Sequence, residues 1–600
     1  MTKYAENLRW NNVPDCRDRE FWSKLKSHPQ FEALLKEAEN AAAAELVSPL
    51  PWYLECSING NRTNYQARFF EFRHFGALTA LFCVTGEKRF LSAVEKRLHV
   101  LLSLPSWTLP AHDLLLECYK GEARLIDLFA ALLGGELATV LYVLYPVLDK
   151  ALAERLEKEL FRRILIPIEM IADGKAPAST LWWLNGSNNW NPVCKQGVIS
   201  MLLRLDIAVE RKEKIIKFFF DNFENYMASF GGEGYCDEGL SYWAGSCGEY
   251  LLIAALLKQY DGRDVLSGES RMLKALMYPE NIMMSPGFYP AYTDCAIDIQ
   301  PRDFIMQLRD ITFGKRKGFT RDIPLNPGFA LMCLQLGYGF DDTPQQVVND
   351  APFSTFPEAG CFVMRQTEKS PLSVSFKGGS NRESHNHNDV GTYIIAVDGV
   401  PVVLDPGGEI YSARTFTARR YDSNLLNSYG HSVPRIDGRM QTNMVGTDAM
   451  NPPRNSTPVE KIKAVLLEQD VSADHCRVKF DISRVYNHID GIEKLERTFE
   501  FDREKSRFTV CDSGNFARQL TFDDAVITLG NVTELGGGKY RIEYEGKALL
   551  LTVSGSGEYD FSIDTIMENT THKKPVYRLS FALKEAVQTV EMKFIFTVEK

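Results

Sequence analysis

The stretch Arg382–Asp405, RESHNHNDVGTYIIAVDGVPVVLD, decides how the C-terminal half of this chain is interpreted. Two apolar runs flank the dipeptide Asp398-Gly399, and Asp-Gly in that setting is a strong signal for a β-hairpin. His385 and His387 precede the hairpin at a spacing of two, which on a strand directs both side chains to one face. We therefore expect an antiparallel sheet whose early strands present two histidines together.

A candidate metal site consists of His387, Asp405 and His431. The hairpin returns Asp405 toward the histidine pair, and His431 follows in NSYGHSVPRIDG. Two neutral imidazoles and one carboxylate suit zinc, with a fourth position left for water or another group. His385 is then a neighbour available for acid–base chemistry. The alternative is a pair of exposed strand histidines beside an ordinary hairpin aspartate, because two histidines and one aspartate form a loose pattern.

Composition limits the class of protein. A chain of 600 residues is too long for one core, so two or three domains are expected. No apolar run is long enough to span a membrane, and the N-terminal residues lack an apolar signal segment. The twelve cysteines form no C-x-x-C pair, which favours reduced thiols. We expect a cytoplasmic protein, or a secreted or periplasmic one if a leader has been removed.

The net charge of −10 argues against nucleic acid as a partner. An anionic substrate would need local positive charge, which an arginine-rich stretch after Asp405 offers. Its members are Arg414, Arg419, Arg420, Arg435 and Arg439. Of these we predict Arg414, Arg420 and Arg439 as substrate contacts. The alternative is a solvated basic surface. The sequence leaves a homo-oligomer open.

The pattern of apolar residues changes near residue 345. Before it, apolar residues recur at helical spacing in many segments of similar length, typical of a helical toroid or solenoid. After it, short alternating runs separated by turn residues indicate an antiparallel β-sandwich. We predict a helical (α/α) domain over residues 1–345 and a β-sandwich domain over residues 346–600.

Two clusters interrupt the helical half. The first, LNGSNNWNPVCKQG, contains Asn188, Asn189 and Trp190, and it is predicted as a loop with orienting amides. The second, GGEGYCDEGLSYW, has glycines that allow close backbone approach to a ligand, together with Glu238 and Tyr242. The alternatives are capping asparagines in the first cluster, and a helix–helix loop with packing aromatics in the second.

Together these clusters resemble one family. An Asn-Asn-Trp loop, an Asp-Glu-Gly-x-Ser-Tyr-Trp loop, a Ser-His-x-His-x-Asp stretch and a later histidine before an Asp-Gly turn occur here in one order. That order resembles the heparinase II/III-like polysaccharide lyases, which are similar to alginate lyases of the same superfamily. The resemblance covers roughly residues 60–600 and implies an (α/α) toroid followed by an antiparallel β-sandwich.

The resemblance also implies site residues and a reaction. Tyr242 matches the catalytic tyrosine and His385 the catalytic histidine, while Asn189, with Asn188, matches the group that neutralises the substrate carboxylate. The zinc ligands would be His387, Asp405 and His431, and Trp190 and Glu238 would contact substrate. Trp190 replaces a histidine found in many relatives, so the resemblance does not extend to a second base there.

The implied reaction is β-elimination in a glycan that contains uronic acid, such as a glycosaminoglycan or alginate. It removes the proton at C5 and breaks the bond at C4, leaving a 4,5-unsaturated product. Three other functions stay open. A non-haem iron oxygenase would use His387, Asp389 and His431 as a facial triad. A toroid glycoside hydrolase would use Asp237 and Glu238. A glycan-binding protein would leave its ligand intact.

Overall fold

The computed structural model describes residues 13–69, 74–343, 349–412, 414–417, 419–442 and 462–599. Within them, a helical N-terminal part precedes a C-terminal part built from antiparallel sheets, as predicted. The α-helices are α1 Arg19–Ser23, α2 Phe31–Ala43, α3 Leu50–Asn59, α4 Arg62–Phe69, α5 Phe75–Thr85, α6 Lys88–Ser103, α7 Glu117–Lys120, α8 Leu128–Leu144, α9 Lys150–Leu160, α10 Ile166–Ala172, α11 Trp190–Arg204, α12 Val209–Phe220, α13 Glu224–Ala228, α14 Leu240–Trp243, α15 Cys247–Asp261, α16 Ser270–Ala275, α17 Tyr278–Ile282, α18 Asp303–Thr312 and α19 Phe329–Tyr338.

In the helical part, capping side chains and glycines determine where helices begin and end. The Asp127 carboxylate accepts from the Ala130 amide at 2.8 Å and so caps the start of α8. Gly86, with φ of 77°, ends α5 in the left-handed conformation. Helices α8 and α11 pack so closely that a Cβ at Gly197 would lie 2.4 Å from the Ala131 carbonyl carbon. Small residues thus fix the packing of the buried helices.

The C-terminal part contains three antiparallel sheets. Strands β1 to β5 form a five-stranded sheet, and the others form sheets of eight and four strands in the orders β12-β13-β14-β17-β10-β9-β8-β7 and β15-β16-β11-β6. The strands are β1 Phe353–Phe356, β2 Cys361–Met364, β3 Leu372–Lys377, β4 Tyr393–Val397, β5 Val400–Val403, β6 Arg435–Ile436, β7 Val465–Val471, β8 His475–Asp481, β9 Ile492–Asp502, β10 Arg507–Leu520, β11 Phe522–Thr528, β12 Asn531–Gly536, β13 Lys539–Tyr544, β14 Lys547–Gly555, β15 Tyr559–Ile566, β16 Val576–Leu583 and β17 Val587–Val598.

An aromatic core joins the five-stranded and eight-stranded sheets. The Phe376 ring of β3 stacks on Phe499 of β9, with centroids 4.4 Å apart. The predicted hairpin is present between β4 and β5, where Val397 pairs with Val400. Asp398 and Gly399 have φ of 48° and 81°, as a type I′ turn requires.

Strand β3 is buried on both faces. Its apolar residues face the sandwich core, whereas its alternate residues Ser375 and Lys377 face the segment 273–301. There the Tyr292 hydroxyl lies 2.8 Å from Ser375 Oγ, and Lys377 Nζ lies 5.3 Å from the centre of the Tyr292 ring. This covered polar face leads directly into the loop that carries the predicted histidines.

The chain divides into two compact units. The first comprises Met1–Ser229, Ala244–Met272 and Arg302–Gln346, and the second comprises Phe230–Trp243, Leu273–Pro301 and Val347–Lys600. The predicted division into residues 1–345 and 346–600 stays a prediction. Two short segments that precede residue 345 group with the β-sheets, and they include Tyr242.

Several local predictions differ from the structure. Trp190 begins helix α11 rather than lying in a loop, and the predicted helix over Leu148–Ala172 contains a π-helical turn at Phe161–Leu165. Pro167 lacks an amide proton for the Arg163 carbonyl, which explains the wider turn. One described stretch, Leu240–Asp261, has the length and composition to cross a membrane, but 78% of its window is buried, as in a core helix.

Candidate active site

The predicted histidines lie in a loop and not on a strand. His385 and His387 precede β4, which begins only at Tyr393. His385 has φ of 55°, a left-handed conformation that a strand does not accommodate, so the prediction of a shared strand face is wrong. The Asn381 side chain anchors the start of the loop by donating to the Thr442 carbonyl at 2.9 Å. The two rings nevertheless meet, because both contact one carboxylate.

That carboxylate belongs to Asp294, whose side chain is 1% exposed. Its Oδ2 lies 3.0 Å from His385 Nδ1 and accepts from the Tyr411 hydroxyl at 2.9 Å. Its Oδ1 lies 3.0 Å from His387 Nε2 and accepts from Arg420 Nη2 at 2.7 Å. A carboxylate has room for four donors, so all of its acceptor positions are used.

Tyr242 lies against His385. The two rings stack with centroids 3.8 Å apart and an angle of 17° between their planes. The Tyr242 hydroxyl forms a hydrogen bond with the Tyr411 hydroxyl. Because Tyr411 donates its only proton to Asp294, its oxygen accepts from Tyr242. The cluster of Tyr242, His385, Tyr411 and Asp294, hereafter the Tyr–His cluster, lies wholly within the second unit.

Electrostatics fix the protonation states of Asp294 and Tyr242. Burial raises the pKa of Asp294, but the Arg420 guanidinium and the two histidines outweigh burial and hold it well below its usual value. Burial, together with the nearby Asp294 charge, raises the pKa of Tyr242. At neutral pH, Asp294 is therefore an anion that only accepts, and Tyr242 keeps its proton.

The three predicted metal ligands come together. His387, Asp405 and His431 are buried and offer ligand atoms that all lie within 4.8 Å of one another. His431 Nδ1 lies 3.1 Å from Asp405 Oδ2, while His387 Nδ1 and His431 Nε2 are buried with no hydrogen-bond partner among the described residues. Burial lowers the pKa of His387 to about 4, so the ring is neutral at neutral pH, as a metal ligand must be. This donor set fits zinc.

Asp389 does not join this group. Its Oδ2 lies 3.0 Å from Lys377 Nζ, and both side chains are fully buried. Lys377 also donates to Glu383 at 2.9 Å, which places a paired lysine under the histidine loop. The facial triad that would include Asp389 is therefore not formed, because the carboxylate is held by the lysine.

A buried arginine ties the two metal-binding loops to the sandwich. Arg497 Nη1 donates to the Gly391 carbonyl at 2.9 Å and to the Ser432 carbonyl at 2.7 Å. Its remaining donors bind Asp512 and Asp524. Gly391 follows His387 and Ser432 follows His431, so one side chain in β9 fixes both loops.

The predicted substrate arginines have other partners. Arg420 is 3% exposed and directs its guanidinium to Asp294, the Asn386 carbonyl and the Thr415 carbonyl. Its substrate-binding role stays a prediction. Arg414 pairs with Glu409 and Glu568 at 2.8 and 2.9 Å.

Arg439 is exposed. Its substrate-binding role stays a prediction.

The carboxylates proposed for a hydrolase differ in environment. Glu238 is 2% exposed, which argues against the predicted substrate contact. Asp237 is partly exposed, and burial together with the neighbouring Glu383 raises its pKa to about 7. Neither residue contacts the Tyr–His cluster through a described hydrogen bond.

The asparagine cluster lies in the first unit. Asn188 Oδ1 accepts from the Trp190 amide at 3.3 Å, and Asn189 is the residue before α11. Trp190 is 6% exposed and packs against Trp182 and His112, each with ring centroids 4.7 Å apart. The Trp190 ring is thus packed among aromatic neighbours, and its predicted substrate contact stays a prediction. The roles of Asn188 and Asn189 stay predictions.

Sequence reasoning missed Asp294 and Tyr411. Asp294 lies in YTDCAID, a segment with no recognisable motif, 91 residues before His385. Tyr411 follows Asp405 in GGEIYS and precedes the predicted substrate arginines. Position just after a predicted metal ligand could have identified Tyr411; no comparable signal exists for Asp294.

Comparison with known protein families gives a match in the C-terminal part of the chain. The family model "Heparinase II/III-like, C-terminal" matches residues 349–531, which include β1 to β11, the histidine loop and all three candidate metal ligands. No curated protein sequence gives a significant match.

Solved structures share the fold at low sequence identity. A heparinase III structure covers 96% of this chain and 85% of its own, with TM-score 0.64 and 13% identity. The heparan sulfate lyase HepC from Pedobacter heparinus covers 96% and 84%, with TM-score 0.59 and 12% identity. The chondroitin AC lyase of Streptomyces coelicolor A3, solved with chondroitin sulphate, covers 97% and 82%, with TM-score 0.50 and 10% identity. The predicted fold class, an (α/α) toroid followed by an antiparallel β-sandwich, is confirmed. At the level of sequence family, residues 349–531 of this chain are similar to the heparinase II/III-like C-terminal domain.

Proposed function

We propose that this protein is a polysaccharide lyase that cleaves acidic glycans by β-elimination at a uronic acid. The observation that carries the proposal is the stacked pair of Tyr242 and His385, held by Tyr411 and Asp294. Two groups that transfer protons, placed side by side on a rigid support, meet the need of an elimination for a base and an acid. The structural neighbours named for heparinase III, heparan sulfate and chondroitin AC support the same substrate class.

The difficult step is removal of the proton at C5, α to a carboxylate. The developing enolate carries extra negative charge, so donors aimed at the carboxylate lower the barrier. Asn189 and Asn188 are the proposed donors, on the family resemblance. The leaving oxygen at C4 needs a proton as its bond breaks.

The hydrogen bonds assign the two proton-transfer roles. Asp294 is an anion and accepts from His385 Nδ1, so His385 in its neutral form carries its lone pair on Nε2. His385 is then the base for the C5 proton. Tyr242 keeps its proton and is the acid for the C4 oxygen, because burial and Asp294 oppose its ionisation.

The geometry of the Tyr242–His385 pair also predicts which uronate epimer is cleaved faster. Because the Tyr242 and His385 rings stack, base and acid approach the sugar from one side. One-sided approach suits a uronate whose C5 hydrogen and C4 oxygen share a face, as in glucuronate. We expect cleavage of glucuronate-containing chains at least ten times faster than iduronate-containing chains, measured as kcat/KM on size-matched oligosaccharides. Equal rates on both epimers would contradict this one-sided assignment.

We also propose that His387, Asp405 and His431 hold zinc. Their neutral imidazoles, carboxylate and unpaired ring nitrogens fit that ion. Bound zinc would supply a cross-link between the loops around His387 and His431, together with local positive charge. The proton transfers themselves are assigned to Tyr242 and His385.

A panel of glycans tests the function. Heparan sulfate, chondroitin sulphate, hyaluronan and alginate are incubated with the purified protein while absorbance is read at about 232 nm, where the C4=C5 double bond of the product absorbs. We expect rising absorbance with at least one glucuronate polymer. Saturated products formed by addition of water would instead favour a hydrolase that uses Asp237 and Glu238. Binding of every polymer without cleavage would indicate a glycan-binding protein.

A further inference from the structure

The Asp294 carboxylate forms hydrogen bonds both within the Tyr–His cluster and to the metal group, which consists of His387, Asp405 and His431. Its Oδ2 serves His385 and Tyr411 of the Tyr–His cluster, and its Oδ1 serves His387 of the metal group. Arg420 supplies the fourth hydrogen bond, from Nη2 to Asp294 Oδ1 at 2.7 Å. No other described residue forms hydrogen bonds with both histidines.

The hydrogen bonds to Asp294 set different tautomers in the two rings: the proton lies on Nδ1 in His385 and on Nε2 in His387. His385 donates from Nδ1 and therefore offers Nε2 to a substrate. His387 donates from Nε2 and therefore offers Nδ1, the buried nitrogen with no described hydrogen-bond partner, to a metal. A carboxylate that accepts from the far nitrogen of a metal-binding histidine orients the ring and raises its basicity.

The backbone around Asp294 holds it in place. Thr293 has φ of 61°, and its hydroxyl donates to the Glu238 carbonyl at 2.8 Å. The Gly408 amide donates to the Cys295 carbonyl at 2.9 Å, and a Cβ at Gly408 would lie 2.9 Å from the Asp294 Cα. The segment that follows Asp405 is thus packed directly on the segment that carries Asp294.

We propose that Asp294 is a positioning residue shared by the metal site and the catalytic pair, so that one carboxylate couples zinc binding to the orientation of His385. The proposal rests on the proposed lyase function for its kinetic part and on the metal group for its binding part. It predicts that one isosteric substitution weakens both properties together.

The test is Asp294→Asn, with zinc affinity measured on the metal-free protein by competition with a chromogenic chelator, and kcat and KM measured at about 232 nm. We expect zinc affinity to fall roughly 10- to 100-fold and kcat to fall by a similar factor, as for other partners of metal-binding histidines. KM should change less than about threefold, since Asp294 is buried and makes no substrate contact in this scheme. An Asp294→Asn protein that binds zinc as tightly as the wild type would overturn the proposal.

Two further variants separate coupling from a general loss of structure. Tyr411→Phe removes the hydroxyl that contacts Tyr242, His385 Nδ1 and Asp294 Oδ2 and leaves Asp294 Oδ1 with His387, so kcat should fall while zinc affinity stays within about twofold. Asp298→Asn is the matched control, an exposed aspartate on the same segment, and should change neither quantity. Reduced zinc affinity in Tyr411→Phe or in Asp298→Asn would point to a general structural effect and sink the assignment.

A measurement on the wild type avoids dependence on a folded variant. Nitrogen-15 NMR of histidine-labelled protein, with His385→Gln and His387→Gln used to assign signals, should show protonated Nδ1 in His385 and protonated Nε2 in His387. The reverse tautomer in either ring would contradict the role of Asp294. If no glycan is cleaved, the proposed function fails, while zinc affinity and the tautomers still decide the role of Asp294.

Discussion

Replacing Tyr242 with phenylalanine should lower kcat by roughly 10²- to 10⁴-fold, the range expected for loss of a positioned proton donor. Phenylalanine keeps the ring that stacks on His385 at 3.8 Å, so the histidine should retain its position. Tyr411 keeps its hydrogen bond to Asp294, so little else is left unpaired. The melting temperature and zinc content should match those of the wild type.

The control for this prediction is Tyr429→Phe. The Tyr429 hydroxyl donates to Asp564 at 2.8 Å on the surface of the second unit and takes no part in the Tyr–His cluster. Steady-state kinetics at about 232 nm, zinc analysis and calorimetry on both variants complete the comparison. A Tyr242→Phe enzyme with a near-normal rate would refute the assignment of Tyr242.

His387→Ala should abolish zinc binding and lower stability and activity together. A ligand that binds only the folded state stabilises it by about 4 kcal/mol when its free concentration is a thousand times Kd. The wild type should therefore melt at a higher temperature with zinc than with a chelator, whereas the variant should melt at one temperature under both conditions. Activity should fall because the loop that carries His385 loses its cross-link.

The matched control is His475→Ala, which removes an exposed histidine at the start of β8. Metal analysis and calorimetry with and without zinc distinguish the two variants. If His387→Ala retained one equivalent of zinc, or the wild type showed no zinc-dependent stabilisation, the proposed ligand set would be wrong.

The parts of the site that sequence could predict share a property: each is local. The Asp398-Gly399 turn is encoded by two residues, and the change from helical to alternating periodicity marks where the sheets begin. His387, Asp405 and His431 are predictable as metal ligands because they lie near one another in the chain and have the right ligand types. Their meeting within 4.8 Å agrees with that expectation, while the metal stays a prediction.

What sequence could not predict depends on contacts between distant segments. Asp294 reaches His385 across 91 residues and Arg420 across 126, and no local pattern records either pairing. The alternation in β3 resembles a strand with one face in water, yet Ser375 is buried under Tyr292. Trp190 resembled a ligand contact because it follows two asparagines, but its ring packs between other aromatic rings.

Arg497 has a consequence for motion in the molecule. Its guanidinium is fully buried and holds the carbonyls that follow His387 and His431, while two aspartates neutralise it. Opening either loop alone would leave a buried N–H of this guanidinium without its carbonyl acceptor, at a cost of about 1 to 3 kcal/mol. Opening of either loop should therefore be rare, and the loop that carries His385 should already be in place when a substrate arrives.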